Sequence, residues 1–548
     1  MGIAVRVASR GAAGVAVRPE RGRFRRRAAR RNGAGHGLPL LGVRPVRFPG
    51  RATGGRDFRS ARSGPGPARH AAGLSGGAAS RAGIGASRDT PDGRKGYVSA
   101  TVEDPNRNSH AVGEVVELVS KLIQFDTSNT GELATTKGER ECAQWVADQL
   151  HQAGYTTEYV ESGAPGRGNV FARLAGADPN RGALLMHGHL DVVPAQAADW
   201  SVHPFSGAIR DGYVWGRGAI DMKDMVGMML AVARQFKLEG TVPPRDIVFA
   251  FLADEENGGK WGSHWLVDNR PDLFAGVTEA VGEVGGFSLT VPRRDGTESR
   301  FYLVETAEKG LGWMRLRAKA RAGHGSFLHE DNAVTILADA VARLGKHTFP
   351  LVISDSVAEF LAAVAEESGL EFDPASPDLD GQLAKLGTIS RIIGATLRDT
   401  ANPTMLQAGY KANVIPQTAE AVVDCRVVPG RLEAFLREVD ELIGPDVERE
   451  WITNLESYET TFDGDLVDAM NAAILAHDPD GRTVPYMLSG GTDAKAFARL
   501  GIRCFGFAPL RLPPELDFSA LFHGVDERVP VASLEFGTRV LEHFLLNS

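Results

Sequence analysis

The chain has 548 residues, 43% of them hydrophobic and 24% charged, and carries a formal net charge of −8 at pH 7. That length calls for two or three folded units, and no apolar run reaches the roughly 18 residues that a membrane-spanning helix needs. Cys142, Cys425 and Cys504 are odd in number and far apart, which excludes a disulfide framework or a thiolate zinc cluster. They read as free thiols in a reducing, cytoplasmic setting.

The net charge averages two unlike parts. Residues 1–97 hold 20 Arg and one Lys against four acids, whereas the rest holds 40 basic against 65 acidic residues. The acidic body argues against nucleic acid as a partner. The head has no helical or strand period and is expected to be a disordered basic extension without a folded role. An organelle transit peptide and a nucleic-acid-binding tail are its weaker readings.

The fold is expected to begin between Val98 and Ala111. Val115, Val116, Leu118, Val119, Leu122 and Ile123 form one face of a first helix, and Glu139–Gly154 predicts a second, stopped by Gly154. Asn169–Leu174 reads as a strand, and Ala183–Met186 as a short apolar strand of a buried parallel sheet. A helix over Asp224–Phe236 and an apolar strand over Asp246–Leu252 follow. This alternation predicts an α/β layer fold, whose ligands bind beyond the carboxyl ends of the strands.

Chemistry-bearing residues sit at those ends. His187-Gly188-His189-Leu190-Asp191 follows the strand Ala183–Met186. Period two puts His189 and Asp191 on one side, so His189 reads as a metal ligand and Asp191 as the carboxylate that orients its ring. His187 is read as structural. In Gly216-Arg217-Gly218-Ala219-Ile220-Asp221 the glycines allow close backbone approach, and Asp221 has oxygens enough to bridge two metals. The strand Asp246–Leu252 ends in Asp254-Glu255-Glu256, a poor place for adjacent carboxylates without a cation. One of these can ligate while its neighbour acts as a base. Glu283 follows a strand at Ala280–Gly282, and His523 stands alone in Phe522-His523-Gly524. A ligand set of His189, Asp221, Glu256, Glu283 and His523 lacks thiolate, which suits zinc, with cobalt or manganese as substitutes.

The motifs HGHLDVVP, GRGAIDMKD, DEENGG, GEVGG, AGHGS, YKANVIP, SGGTDAK and FHGVDE occur in order. Over residues 110–548 the chain thereby resembles the metallopeptidase family of aminoacylase-1, carboxypeptidase S, carboxypeptidase G and succinyl-diaminopimelate desuccinylase, with the aminoacylase-1 and carboxypeptidase S branch nearest. The resemblance implies a zinc-exopeptidase-like catalytic domain, a mixed sheet flanked by helices, with an inserted ferredoxin-like α+β lid that dimerises. The expected division is 1–97 extension, 98–307 catalytic, 308–456 lid and 457–548 catalytic. Strands at Gly312–Ala320 and Ala419–Val427 and helices at Asn332–Leu344 and Gly430–Ile443 belong to the lid. A helix-rich stretch from Phe349 to Thr400 is expected on the lid surface.

The same resemblance implies two zinc ions per chain, one held by His189 and Glu283 and the other by Glu256 and His523, with Asp221 as the bridge and Glu255 as the base. It implies that His324 stabilises an oxyanion in the partner subunit of a homodimer. Asn413 and Arg426 would hold the substrate, as would the loop Gly490, Gly491 and Thr492. Arg426 could instead pair with an internal acid. The implied reaction is hydrolysis of an amide bond in a small peptide or an N-acyl amino acid. Two alternatives are an acetylornithine deacetylase or desuccinylase type of amidohydrolase and a catalytically inactive dimeric binding protein.

Overall fold

The computed structural model describes residues 109–373, 376, 378–384 and 389–548; the predicted extension, residues 1–97, lies outside them. No helix among the described residues is long and apolar enough to cross a membrane. The first helix, His110–Ile123, begins where the Ser109 side chain accepts the Val112 N–H. The second, Arg140–Ala153, ends at Gly154 with φ 101°, as its sequence stop predicts.

A ten-stranded mixed sheet organises the larger layer. Strand Ala183–His189 lies at its centre, parallel to Ile247–Leu252 on one side and to Val277–Gly282 on the other. Each face of that trio is buried. Ile247, Phe249 and Phe251 join the core beneath Lys223–Glu239 and the first, second and last helices, whereas Val248, Ala250 and Leu252 point to a second core beneath Ser263–Asn269 and Ala494–Ala498. Alternate side chains thus go to opposite faces, and the uninterrupted apolar run follows from double coverage. Because the three strands run in one direction, their carboxyl ends meet at one edge of the layer.

The segment expected as the lid, hereafter the lid, is a four-stranded antiparallel sheet in the order Thr400–Ala408, Thr418–Val427, Gly310–Lys319, Val447–Leu455. Helices Ala333–Lys346 and Leu432–Ile443 cover one face. The chain order β-α-β-β-α-β is that of a ferredoxin-like unit. The chain enters it between Glu308 and Gly310 and leaves it between Leu455 and Tyr458.

The helix-rich stretch is not on the lid surface, contrary to expectation. Helix Asp355–Ser368 lays Val357, Phe360, Leu361 and Val364 against Phe301, Leu303, Val484 and Met487 of the catalytic sheet. Those four residues form an i, i+3, i+4, i+7 stripe that must be covered. The apolar face of the lid is already occupied by its own two helices, so the outer strands of the catalytic sheet provide the cover.

Candidate metal centre

The three parallel strands converge on one cluster. His189 ends the central strand, the turn after Leu252 carries Asp254, Glu255 and Glu256, and Glu283 follows Gly282. Asp221 comes from the loop before Lys223–Glu239, where Gly216 and Gly218 have φ 151° and 85°. A Cβ at Gly216 would lie 2.3 Å from Ile123 and one at Gly218 2.7 Å from Val192, so this loop needs both glycines. His523 comes from a turn near the end of the chain. Asp254, Val284 and His523 all adopt positive φ without being glycine; for β-branched Val284 this is strained backbone of the kind that gathers at functional sites.

Asp221 lies between the two imidazoles. Its Oδ1 is 3.2 Å from His189 Nε2, and its Oδ2 is 3.1 Å from His523 Nε2. His189 Nε2 is 3.5 Å from Glu283 Oε2 and 3.8 Å from Glu255 Oε2. His523 Nε2 is 3.2 Å from Glu256 Oε2. Two sets of donor atoms lie within 4.8 Å of one another, His189–Glu255–Glu283 and His189–Asp221–Glu256. All six residues predicted to ligate or act as base therefore meet here.

The electrostatics of the cluster call for cations. Burial, reinforced by Glu283, pushes the Glu255 carboxyl well above the ordinary range. Burial also lifts Glu283 to about 8, against the pull of His189, and raises Glu256. The His189 ring, although burial opposes its charge, is held well above its usual value by Glu283, Asp221 and Glu255. Hydrogen bonds to Asp221 and Glu256 carry His523 to about 10. Although burial opposes its charge, hydrogen bonds from His189 and His523 hold the Asp221 carboxyl well below the ordinary range. The other three, Glu255, Glu256 and Glu283, escape mutual repulsion by retaining protons, and divalent cations would remove that penalty. The donor set of nitrogen and oxygen without sulfur fits a pair of such ions.

Asp191 acts differently from its sequence expectation. His189 Nδ1 is 2.9 Å from the Asp191 backbone carbonyl, whereas the Asp191 carboxylate is 3.6 Å away. The carboxylate instead accepts the backbone N–H groups of Glu255 and Glu256, each at 3.1 Å, and the Asn129 amide at 2.9 Å. Asn129 also donates to Asp254, which pairs with buried Arg167 at 2.8 Å, and Arg167 reaches Glu139 at 2.6 Å. This layer of Asn129, Glu139, Arg167 and Asp254 fixes the acidic turn. Nothing in its spacing marks it in the sequence.

A second support lies within the motifs GRGAIDMKD and FHGVDE, whose order and spacing do not reveal it. Glu527 accepts the Ile220 N–H at 2.9 Å and pairs with Arg217 at 2.6 Å, and Arg217 donates to the His523 carbonyl at 3.2 Å. The loops carrying Asp221 and His523 are thereby tied together. His187, read as structural, is neutral core: burial drops its pKa to about 3, and its ring packs 4.9 Å from that of Phe497.

The cluster opens into a cavity of about 1350 Å³ whose lining includes Arg426, Gly490, Gly491 and Thr492. Arg426 takes the alternative that its sequence left open, a two-pronged pair with Asp424 at 2.7 and 3.0 Å, while still lining the cavity. Thr492 is anchored by its hydroxyl and its N–H to Glu308 at 2.5 and 3.0 Å, and Lys495 completes that buried pair at 3.1 Å. His324 and Asn413 are not brought to the cluster. They sit together on an exposed two-stranded ribbon of the lid, where Gly325 N–H donates to the Asn413 carbonyl at 3.0 Å.

A mixed α/β layer whose strand ends and adjoining loops bring two histidines and four carboxylates together fits a metal-dependent hydrolase of the amidohydrolase and exopeptidase class. The signature of Peptidase family M20/M25/M40 matches residues 185–547, and the chain belongs to that family. It is 28% identical over 455 residues to the human N-fatty-acyl-amino acid synthase/hydrolase PM20D1, covering 80% of this chain and 87% of the relative. It is 28% identical over 408 residues to aminoacylase-1 of Sus scrofa, covering 73% and 88%. A probable carboxypeptidase S-like 2 of Dictyostelium discoideum is 29% identical over 381 residues, covering 68% and 73%. The fold matches the Saccharomyces cerevisiae di-peptidase Dug1p at a TM-score of 0.57 and 16% identity, covering 80% of this chain and 98% of that one. It also matches a metallo-carboxypeptidase from Sulfolobus solfataricus at 0.56 and 17%, covering 80% and 99%. The chain is accordingly a hydrolase of the metallopeptidase and aminoacylase type, which sets aside the inactive binding protein.

Proposed function

We propose that this enzyme hydrolyses the amide bond of N-acyl amino acids with apolar acyl groups, using two zinc ions per chain. The observation that carries the reading is Asp221, with one carboxylate oxygen toward each imidazole. His189 and Glu283 would hold one ion, Glu256 and His523 the other, and Asp221 would join them. A metal pair of this kind polarises the scissile carbonyl and acidifies water.

Glu255 lies beside the cluster without being needed as a ligand in that assignment. Its carboxyl, raised by burial and by Glu283, takes the proton of the attacking water and delivers it to the leaving amine nitrogen. Arg426 holds the carboxylate of the amino-acid moiety, exchanging its internal partner Asp424 for the substrate. The backbone of Gly490 and Gly491 approaches the substrate, on a loop that Thr492 anchors through its N–H and hydroxyl to Glu308. His324 and Asn413, exposed on the lid ribbon, serve the active site of a second copy, and His324 stabilises the oxyanion there. The working unit in this reading is a homodimer joined through the lid. Its three cysteines are buried and free, which supports a cytoplasmic setting.

The preference for N-acyl amino acids over peptides rests on the apolar share of the cavity wall and on the relatives that act on N-acyl amino acids. The test is metal content of purified protein together with hydrolysis of N-acyl amino acids and dipeptides before and after chelation. Two zincs and chelator-sensitive cleavage of the acylated series are expected. Faster cleavage of dipeptides would overturn the substrate assignment, and turnover unaffected by chelation would overturn the mechanism.

A further inference from the structure

The cavity is larger than the roughly 300–1,000 Å³ that usually houses a small ligand, and its lining divides by chemistry. Lys260, His264, Asp268 and Asn269 are polar; Phe287, Leu289, Tyr486, Leu512, Leu516 and Phe518 are not. The charged ends of a dipeptide have no use for the second set, whereas an aliphatic chain would be buried along it.

Part of that apolar wall rests on the helical insertion. Phe287, Leu289 and Tyr486 line the cavity and also pack against the core cluster in which Val357, Phe360, Leu361 and Val364 of helix Asp355–Ser368 meet Phe301, Leu303, Val484 and Met487 of the sheet. Phe287 and Tyr486 meet edge to face at 6.5 Å between ring centres. The insertion is held in turn by Lys309, at the entry to the lid, whose ammonium donates to the Ala395 and Arg398 carbonyls at 3.0 and 2.6 Å. The segment expected on the lid surface thus backs one wall of the substrate cavity.

We propose that the wall Phe287–Leu289–Tyr486 receives a long aliphatic acyl chain, of about ten carbons or more, and that the insertion behind it sets the preferred chain length. This rests on the amide-hydrolase reading above and narrows its substrate class. Each methylene buried on such a wall strengthens binding about four-fold, so chain length is read as affinity until the wall ends. Phe360 touches no substrate; it acts by keeping Leu289 and Tyr486 in place.

The test uses the full-length metal-loaded enzyme and N-acyl phenylalanines with acyl chains of 2, 4, 8, 12 and 16 carbons. In the wild type, kcat/KM is expected to rise at least 100-fold from the 2-carbon to the 12-carbon substrate. Leu289→Trp, which fills the wall, is expected to lower the 12-carbon to 2-carbon ratio at least ten-fold. Phe360→Ala is expected to lower the same ratio, with recovery in Phe360→Leu. Binding of laurate to each variant by calorimetry gives the same ordering without turnover, and circular dichroism identifies any variant that has not folded. A wild type that cleaves none of the series overturns the proposed function itself. Cleavage with a flat or falling dependence on chain length leaves that function standing and overturns the long-chain assignment. A steep dependence that survives in folded Leu289→Trp and Phe360→Ala overturns the role of the wall and the insertion.

Discussion

One oxygen of Asp191 accepts the backbone N–H of Glu255 at 3.1 Å, although the two residues follow different strands. The carboxylate thus spans the gap between the central strand and its neighbour, and sets where Glu255, the proposed base, and Glu256, a proposed ligand, stand.

Asp191→Asn keeps the shape but offers one carbonyl acceptor to two N–H donors. Metal affinity and kcat are each expected to fall about 10–100-fold, the usual effect of removing a partner behind the ligands. Chelator competition and steady-state rates on the same preparation measure both. Wild-type metal affinity in this variant would show that the acidic turn stands without Asp191.

Glu255→Gln removes the proton carrier and leaves the proposed ligands in place. Turnover is expected to drop about 10²–10⁴-fold with zinc content unchanged. A variant that loses zinc as well would make Glu255 a ligand, as the grouping His189–Glu255–Glu283 allows.

Glu527→Ala breaks a buried pair with Arg217 and frees the Ile220 N–H. Removing one partner of such a pair costs about 3–5 kcal/mol. The melting temperature should fall, and the metal proposed at His523 and Glu256 should be lost first, because Arg217, without Glu527 to hold it, no longer braces the His523 carbonyl. Glu527→Gln, which keeps one acceptor, should recover part of both losses. Equal loss of both metals would sink the selective role.

The chelated protein should lose stability as pH rises. In the metal-free fold Glu283 keeps its proton to about pH 8, where an unfolded Glu has lost it from about 4.5. The fold therefore binds more protons in that window, and stability falls as pH climbs through it. His523, raised to about 10, gives stability that is full below 6.5 and fades as pH rises through 10. His189, also raised, acts in the same direction. Metal replaces these protons, so the gap in melting temperature between zinc-loaded and chelated protein should widen from pH 5 to 9. A constant gap would mean that the ligands carry no such protons.

His324→Ala mixed with an active-site variant such as Glu255→Gln should regain activity in heterodimers if His324 works across the dimer. Absence of rescue in mixtures shown to exchange subunits would place its role within its own chain, or remove it.

Much of this was legible in local pattern. His189, Asp221, Glu255, Glu256 and Glu283 each follow a strand or glycine turn whose period or composition announces it, and apolar runs such as Ile247–Leu252 declare a sheet covered on both faces. Those features depend on the backbone within a few residues, which is what a linear sequence encodes. Convergence is another matter. Arg217 and Glu527 lie inside recognised motifs but about 300 residues apart, and only the packed loops bring them to 2.6 Å. Asn129, Glu139, Arg167 and Asp254 share no spacing, because their partnership is created by strand order. Arg426 faces Asp424 because alternate residues of one strand point the same way, a contact that its sequence left open. The helix Asp355–Ser368 went to the catalytic sheet because its apolar stripe needed an uncovered face, and which face remains uncovered is decided by the tertiary fold alone.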